Sequence, residues 1–149
     1  MITKPSPRRT AIALMALGLA ACVLAPVGAN AAETAKRDRV VMQVSDNDPA
    51  KWNLALNNAH NLQQALGPKN VDVEIVAYGP GINMFKAESL VGNRIGDATK
   101  AGVKFEACEN TMHAMKLTKA DMLDTVGFVP GGVIEIMRRE QEGWAYIRP

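Results

Sequence analysis

Cysteine is scarce in this chain of 149 residues: there are two, Cys22 and Cys108. That number excludes a disulfide-stapled scaffold, because Cys22 falls in an N-terminal segment with the marks of a removed export signal. Once that segment is gone, Cys108 is the one thiol left. A lone thiol in an exported protein is buried and inert, paired between chains, or kept for chemistry. Histidine is equally rare, with His60 and His113 the only imidazoles. No zinc-ligand spacing, no ordered Ser, His and Asp set and no dinucleotide-binding glycine fingerprint stands out. No segment repeats.

Residues 1 to 31 read as a signal peptide. Lys4, Arg8 and Arg9 form a positive lead, Ala11 to Val27 is apolar, and Ala29-Asn30-Ala31 gives the small-x-small pattern before a cleavage point. Cleavage is expected after Ala31, with Ala32 the second choice, and delivers a periplasmic or secreted protein. Pro26 interrupts the apolar run, which is too short for a bilayer crossing, so no integral membrane span is expected after removal. Leu19-Ala-Ala-Cys22 also resembles a lipobox that would anchor the protein through an acylated Cys22. The apolar run continues beyond it through Val23-Leu24-Ala25, which favours the conventional signal. Arg8-Arg9 fits an ordinary charged lead better than twin-arginine export.

The full chain carries 17 Lys and Arg against 15 Asp and Glu. Three of the basic residues belong to the leader, so the remainder holds 14 against 15 and is nearly neutral. With no basic stripe left, nucleic acid and anionic membrane surfaces are excluded as expected partners. The 118 residues after Ala31 suffice for one domain with a real core. Residues 32–38 are polar and read as a flexible lead-in, and 39–149 as the domain.

Arg39 to Ser45 is a short β-branched run, a buried strand. Asp48 followed by Pro49 is a helix start, with Asp as N-cap and Pro at the first helical position. Trp52, Ala55, Leu56, Ala59, Leu62 and Leu66 keep helical spacing up to the stop at Gly67-Pro68. Val71 to Tyr78 is the second strand, making a βαβ unit, and Gly79-Pro80-Gly81 is a turn without phosphate-loop spacing. A helix is expected from near Ser89 to Ala101, with Leu90, Ile95 and Ala98 inward. Val103 to Ala107 is the third strand, ending at Cys108. Asn110 is positioned to cap a short helix carrying Met112, Met115 and Leu117, and Thr118 to Asp121 resembles a capping box. Val126 to Val129 is the fourth strand. A helix follows with Val133, Ile134, Ile136 and Met137 on one side and Arg138, Arg139, Glu140 and Glu142 on the other. Trp144 to Ile147 is the last strand. The alternation predicts an α/β domain, a mainly parallel five-stranded sheet between helix layers.

Ligands of such sheets bind at the carboxyl ends of the strands. Four loops gather there: 45–48, 79–83, 108–111 and 130–132. Cys108 stands at that edge, facing the start of the helix assigned to Asn110, where unpaired N–H groups favour a thiolate and can lower a cysteine pKa from about 8.5 to about 3.5–7.5. Glu109 opposes this, and no cation adjoins in sequence. The alternative is a small apolar residue closing a buried strand. Asn110 and Thr111 would stabilise charge on the sulfur, and Asn83 and Asn47 are candidates for the pocket wall. Cys108, Met112, His113 and Met115 also offer soft donors for Cu(I), although His113 would point away on a helix and methionines at this spacing are commonly core filler. The asparagines of the first helix (Asn53, Asn57, Asn58, Asn61) form either a solvated face or a polar subunit contact.

The ordered succession of Val41 to Ala59, Glu74 to Gly81, Val103 to Met112 with its Ala-Cys-x-Asn-Thr-Met core, Gly132 to Met137 and Gln141 to Ile147 resembles the DsrE/DsrF-like family over residues 39 to 149. The resemblance implies a three-layer α/β/α sandwich, flavodoxin-like or Rossmann-like, usually assembled as trimers or hexamers. It also implies sulfur relay, in which a cysteine carries sulfur as a persulfide between a donor and an acceptor. Only Cys108 fits that role, although its local motif differs from that of relay members and the relay proteins work in the cytoplasm. Three readings follow: an exported carrier of sulfur or a thiol-reactive small molecule through Cys108; a non-catalytic oligomeric ligand-binding module with a structural Cys108; and a Cu(I) site. No cofactor and no metal is assigned.

Overall fold

The computed structural model describes residues 37–149; the proposed leader and the lipobox Cys22 lie outside them. Five strands, β1 (Asp38–Val44), β2 (Val71–Ala77), β3 (Lys104–Cys108), β4 (Gly127–Val129) and β5 (Ala145–Ile147), form one sheet in the order β4-β3-β2-β1-β5. Every pairing is parallel. The sheet is therefore wholly, not mainly, parallel, and β1 starts one residue earlier than expected, with Asp38 paired to Val71.

Parallel strands need crossovers, and the helices supply them: α1 (Pro49–Leu66), α2 (Gly92–Lys100), the six-residue α3 (Glu109–Ala114) and α4 (Gly132–Gln141). The start of α1 follows the sequence signal. Asp48 is its N-cap, the carboxylate accepting the Ala50 N–H at 2.8 Å, and Pro49 is the first helical residue. Gly67 closes the helix at φ +87°. Residues Gly79–Phe85 are not a plain turn but a 3₁₀ segment whose Ile82, Met84 and Phe85 are buried. It lies tight on the end of β1, since a Cβ on Gly81 would stand 2.3 Å from the Val44 carbonyl oxygen.

α1 and α2 cover one face of the sheet together with the 3₁₀ segment and α3. There Val40, Met42 and Val44 of β1, Val73 and Ile75 of β2 and Phe105 of β3 meet Trp52, Leu56, Ile95, Phe85 and Met112 in one continuous core. α2 starts at Gly92 rather than near Ser89, so Leu90 lies in the preceding turn and is 84% exposed instead of inward. The asparagine face of α1 has a third use: Asn53 and Asn57, one turn apart, both accept hydrogen bonds from the Arg94 guanidinium of α2.

Beneath α4, on the opposite face, Val41 and Val76 meet Ile136 in a small cluster flanked by Tyr78 and Trp144. The expected orientation of α4 is largely reversed. Val133, Ile134 and Met137 are exposed, while Ile136 is buried and the Arg139 guanidinium meets the fully buried Glu74 of β2. The reason is Glu74 itself: a carboxylate set into the middle of a buried strand requires a partner from whatever covers it.

Candidate functional site

The carboxyl ends of β1 to β4 open at one edge, and Cys108 is the last residue of β3. Strand alternation turns Phe105 and Ala107 to the α1 face, where they join the core. It turns Glu106 and Cys108 to the α4 face. Cys108 occupies the N-cap position of α3, so Asn110 is not the cap but lies inside the helix. The thiol thereby lies at the end of α3 where the first N–H groups emerge, although its side chain makes no capping hydrogen bond.

The sulfur is buried, with Cys108 only 5% exposed and unpaired. Burial pushes the thiol pKa up, but the Thr111 hydroxyl, then the backbone N–H groups of Gly132, Thr111 and Asn110, more than offset it and leave the pKa below the ordinary value. The geometry of Thr111 gives its hydroxyl a direction. Its oxygen accepts the Gly79 N–H at 2.9 Å, leaving its own proton for the sulfur. The Asn110 N–H itself donates to the Pro130 carbonyl at 3.2 Å. Gly132 is the first residue of α4, and its lack of a side chain permits the approach. A Cβ there would stand 3.0 Å from Cβ of Tyr78 and 3.3 Å from Cβ of Cys108. Two helix starts from opposite faces of the sheet thus converge on one thiol, without a charged side chain among the groups named.

Above the sulfur lies a cavity of about 350 Å³ walled by Tyr78, Asn110, Thr111, Gly132, Val133 and Ile134. Asn110 and Thr111 also line a second hollow of about 480 Å³, with Gly79, Pro80, Asn83, Ala114 and Met115. The four candidate ligand residues are therefore divided. Asn110 and Thr111 stand beside Cys108. Asn83 belongs to the adjoining hollow, where its amide donates to the Pro80 carbonyl at 3.2 Å. Asn47 borders a third hollow of about 420 Å³ that it shares with Asn83 and Trp52, and it does not line the cysteine cavity. The soft-donor set is scattered too. Met112 is buried in the α1-side core and lines a hollow with His113, Met115 lines the second hollow, and Cys108 lines the first. No one of these cavities joins them. Among the described residues, no group of three or more His, Cys, Asp or Glu side chains is placed to hold a metal ion.

Sequence reasoning missed Tyr78 and the contribution of Gly132. The available signals were Tyr78 closing β2 at the same edge and the Pro-Gly-Gly run entering α4.

Residues 38–149 match the family described as DsrE/DsrF-like. The chain belongs to the DsrE/DsrF-like family. A solved structure from Methanobacterium thermoautotrophicum, the protein of unknown function MTH1491, is 38% identical, with 75% of this chain and 99% of that one aligned at a TM-score of 0.72. BT1422 of Bacteroides thetaiotaomicron, a conserved protein of unknown function, is 13% identical over 75% of this chain and 95% of its own, at a TM-score of 0.63. The ychN protein of E. coli is 11% identical over 76% and 99%, at 0.61. The last two similarities speak to the fold alone. No curated protein matches this chain. Membership brings an association with sulfur relay and leaves this chain's own activity to be argued from the site.

Proposed function

We propose that this protein is an exported sulfur carrier in which Cys108 is the nucleophile. The observation that carries the reading is the placement of one buried, unpaired thiol at the N-cap of α3, against Gly132 at the start of α4 and in one cavity wall with Thr111. Apolar burial alone raises a thiol pKa and leaves a structural cysteine inert, whereas the Cys108 pKa is shifted down. The thiolate attacks the outer sulfur of a sulfane donor, the donor's S–S bond breaks, and its thiolate leaves with the electron pair. Cys108 then holds the outer sulfur as a persulfide, and an acceptor thiolate removes it by the same exchange in reverse. The donors that hold the thiolate remain in place for the persulfide.

Export, with cleavage after Ala31, and assembly into a trimer or hexamer belong to the same proposal. The exposed Val133, Ile134 and Met137 side of α4 supports a subunit contact beside the cysteine cavity, because apolar faces of this kind mark interaction sites. The donor and acceptor are a small thiol compound or a partner protein.

The test is the pH dependence of Cys108 alkylation, with mass detection of added sulfur after exposure to elemental sulfur. The expected thiol titrates below about 8.5 and gains one sulfur atom. Thr111→Val removes one hydrogen bond to a charged group and is expected to raise the titration midpoint by about one unit. A thiol that reacts only after denaturation would make Cys108 structural and leave the family fold as a binding module.

A further inference from the structure

We infer that the electrophile taken by Cys108 is an uncharged disulfide or sulfane-sulfur compound, its apolar group seated in the hollow walled by Gly79, Pro80, Ala114 and Met115. The inference rests on the sulfur-carrier reading and adds the substrate class to it.

Three observations carry it. First, the cysteine cavity and the hollow share Asn110 and Thr111 in their walls, so the hollow's space of about 480 Å³ lies next to that around the thiol. Second, none of the residues lining either space is Lys, Arg, His, Asp or Glu. Tyr78 is the one titratable group besides the cysteine, and burial pushes its phenol further up, so it stays neutral. Third, the charges just outside are already paired. Glu109 meets Lys119 at 3.3 Å, and Asp46 lies 2.9 Å from Lys51 and 3.8 Å from Arg148.

An anionic donor entering this space would therefore face a thiolate with no cation to receive it. Like charges repel far more strongly across a low-dielectric cavity than in water. A neutral compound suffers no such repulsion and gains from burying its apolar part against Pro80, Ala114 and Met115. The exchange balances without an outside oxidant or reductant. The Cys108 thiolate attacks the outer sulfur of R–S–S–H, the new S–S bond forms as the old one breaks, and R–S⁻ departs with the electron pair, leaving Cys108 as the persulfide. With a disulfide R–S–S–R the same attack leaves the mixed disulfide of Cys108 and R–S⁻ departs.

The experiment uses the purified chain carrying Cys22→Ser, so that Cys108 is the only thiol, and two disulfide reagents. One is dianionic dithiobis(nitrobenzoate); the other is dithiodipyridine, uncharged at neutral pH. Each rate is divided by the rate of the same chain unfolded in urea, which removes the intrinsic difference between the reagents. The expected result is a folded-to-unfolded ratio at least about tenfold higher for the uncharged reagent, a gap that narrows as salt screens the repulsion. Met115→Lys places a cation in the hollow and is expected to shrink the gap about fivefold. Equal ratios, a preference for the dianion, or a gap unmoved by Met115→Lys would overturn the uncharged-substrate inference while leaving Cys108 a reactive thiol. Failure of both reagents on the folded chain, with labelling of the unfolded one, would overturn the carrier reading and this inference together.

Discussion

Under α1 and α2, the sheet offers Val40, Met42, Val44, Val73, Ile75 and Phe105, and the helices answer with Trp52, Leu56 and Ile95. Under α4 the sheet offers Val41 and Val76 but also Glu74, Glu106 and Cys108, and α4 answers with one buried apolar side chain, Ile136. The positions of α4 that contact the sheet are Gly132, Ile136 and Arg139, spaced for one side of a helix, with Glu135 paired to Arg139 beside them. At one end of that stripe Gly132 touches Cys108 and at the other Arg139 holds Glu74. The first face is a generic solvent-excluded core whose energy comes from area. The second is a polar seat that places a helix start against a thiol, and its geometry depends on a few specific contacts.

The largest effect separating the two faces is expected from cutting into the first. Phe105 is buried and meets Phe85 edge to face, with ring centroids 5.7 Å apart. Phe105→Ala is expected to destabilise by about 3–5 kcal/mol in urea unfolding. While the chain remains folded, the titration of Cys108 should stay where it is. A shifted thiol in a folded Phe105→Ala protein would mean that the two faces are not independent.

The second face is expected to respond the other way. Arg139 binds Glu74 through Nε at 3.1 Å and Nη2 at 2.8 Å, the latter an ionic contact without hydrogen-bond alignment. It also meets Glu135 at 2.9 Å and Glu142 at 3.3 Å, and lies 4.9 Å from the centre of the Trp144 ring. Arg139→Met leaves Glu74 buried without a cation and is expected to cost about 2 kcal/mol, below the figure for a fully buried pair because Arg139 is partly open to water. It should also raise the Cys108 titration midpoint, because α4 loses the contact that sets its tilt. The double variant Glu74→Leu with Arg139→Leu removes both charges and restores an apolar seat. Recovery of the thiol titration there would assign the effect to the placement of α4. A shift that persists in the double variant would assign it to the field of the charges.

The same contrast decides how much could be read from sequence. On the α1 side the first βαβ unit was legible, since Asp48-Pro49, the spacing from Trp52 to Leu62 and the β-branched strands all point to one arrangement, whereas the start of α2, the exposure of Leu90 and the 3₁₀ segment were not. The family-specific succession and the position of Cys108 at a strand end were legible as well. The orientation of α4 was not, because a rule that turns Val133, Ile134 and Met137 inward ignores what the sheet beneath requires. Glu74, alone among Val73, Ile75, Val76 and Ala77, was the available signal that a cation must come from the covering helix. The placement of β5 beside β1, which puts α4 over the middle of the sheet, has no local signature. Nor did the sequence reveal that Cys108 itself takes the cap position, since residue preference pointed to Asn110.

The smallest expected effect concerns pH. Glu74 and Glu106 both have raised pKa values; for each, burial is the leading cause, and for Glu106 the charges of Glu74 and Glu135 add to it. Arg139 is raised as well: burial acts against it, but the three carboxylates around it prevail. The two partners thus differ because one guanidinium is divided among several carboxylates, each of which receives only part of its charge. A carboxyl whose pKa is higher in the fold than in the unfolded chain binds its proton more tightly when folded. It stabilises the fold below the ordinary carboxyl range, and that contribution disappears as pH rises through the raised value. Glu106→Gln deletes one such group at a half-buried position still in contact with water, so the gain at neutral pH is expected to be only about 0.5 kcal/mol. Unfolding should show the variant and the parent closest in stability near pH 4 and furthest apart near pH 7. A variant that is uniformly less stable at every pH would mean that Glu106 is held by a contact worth more than its burial costs, and the α4 face would then owe less to electrostatic strain and more to ordinary hydrogen bonding.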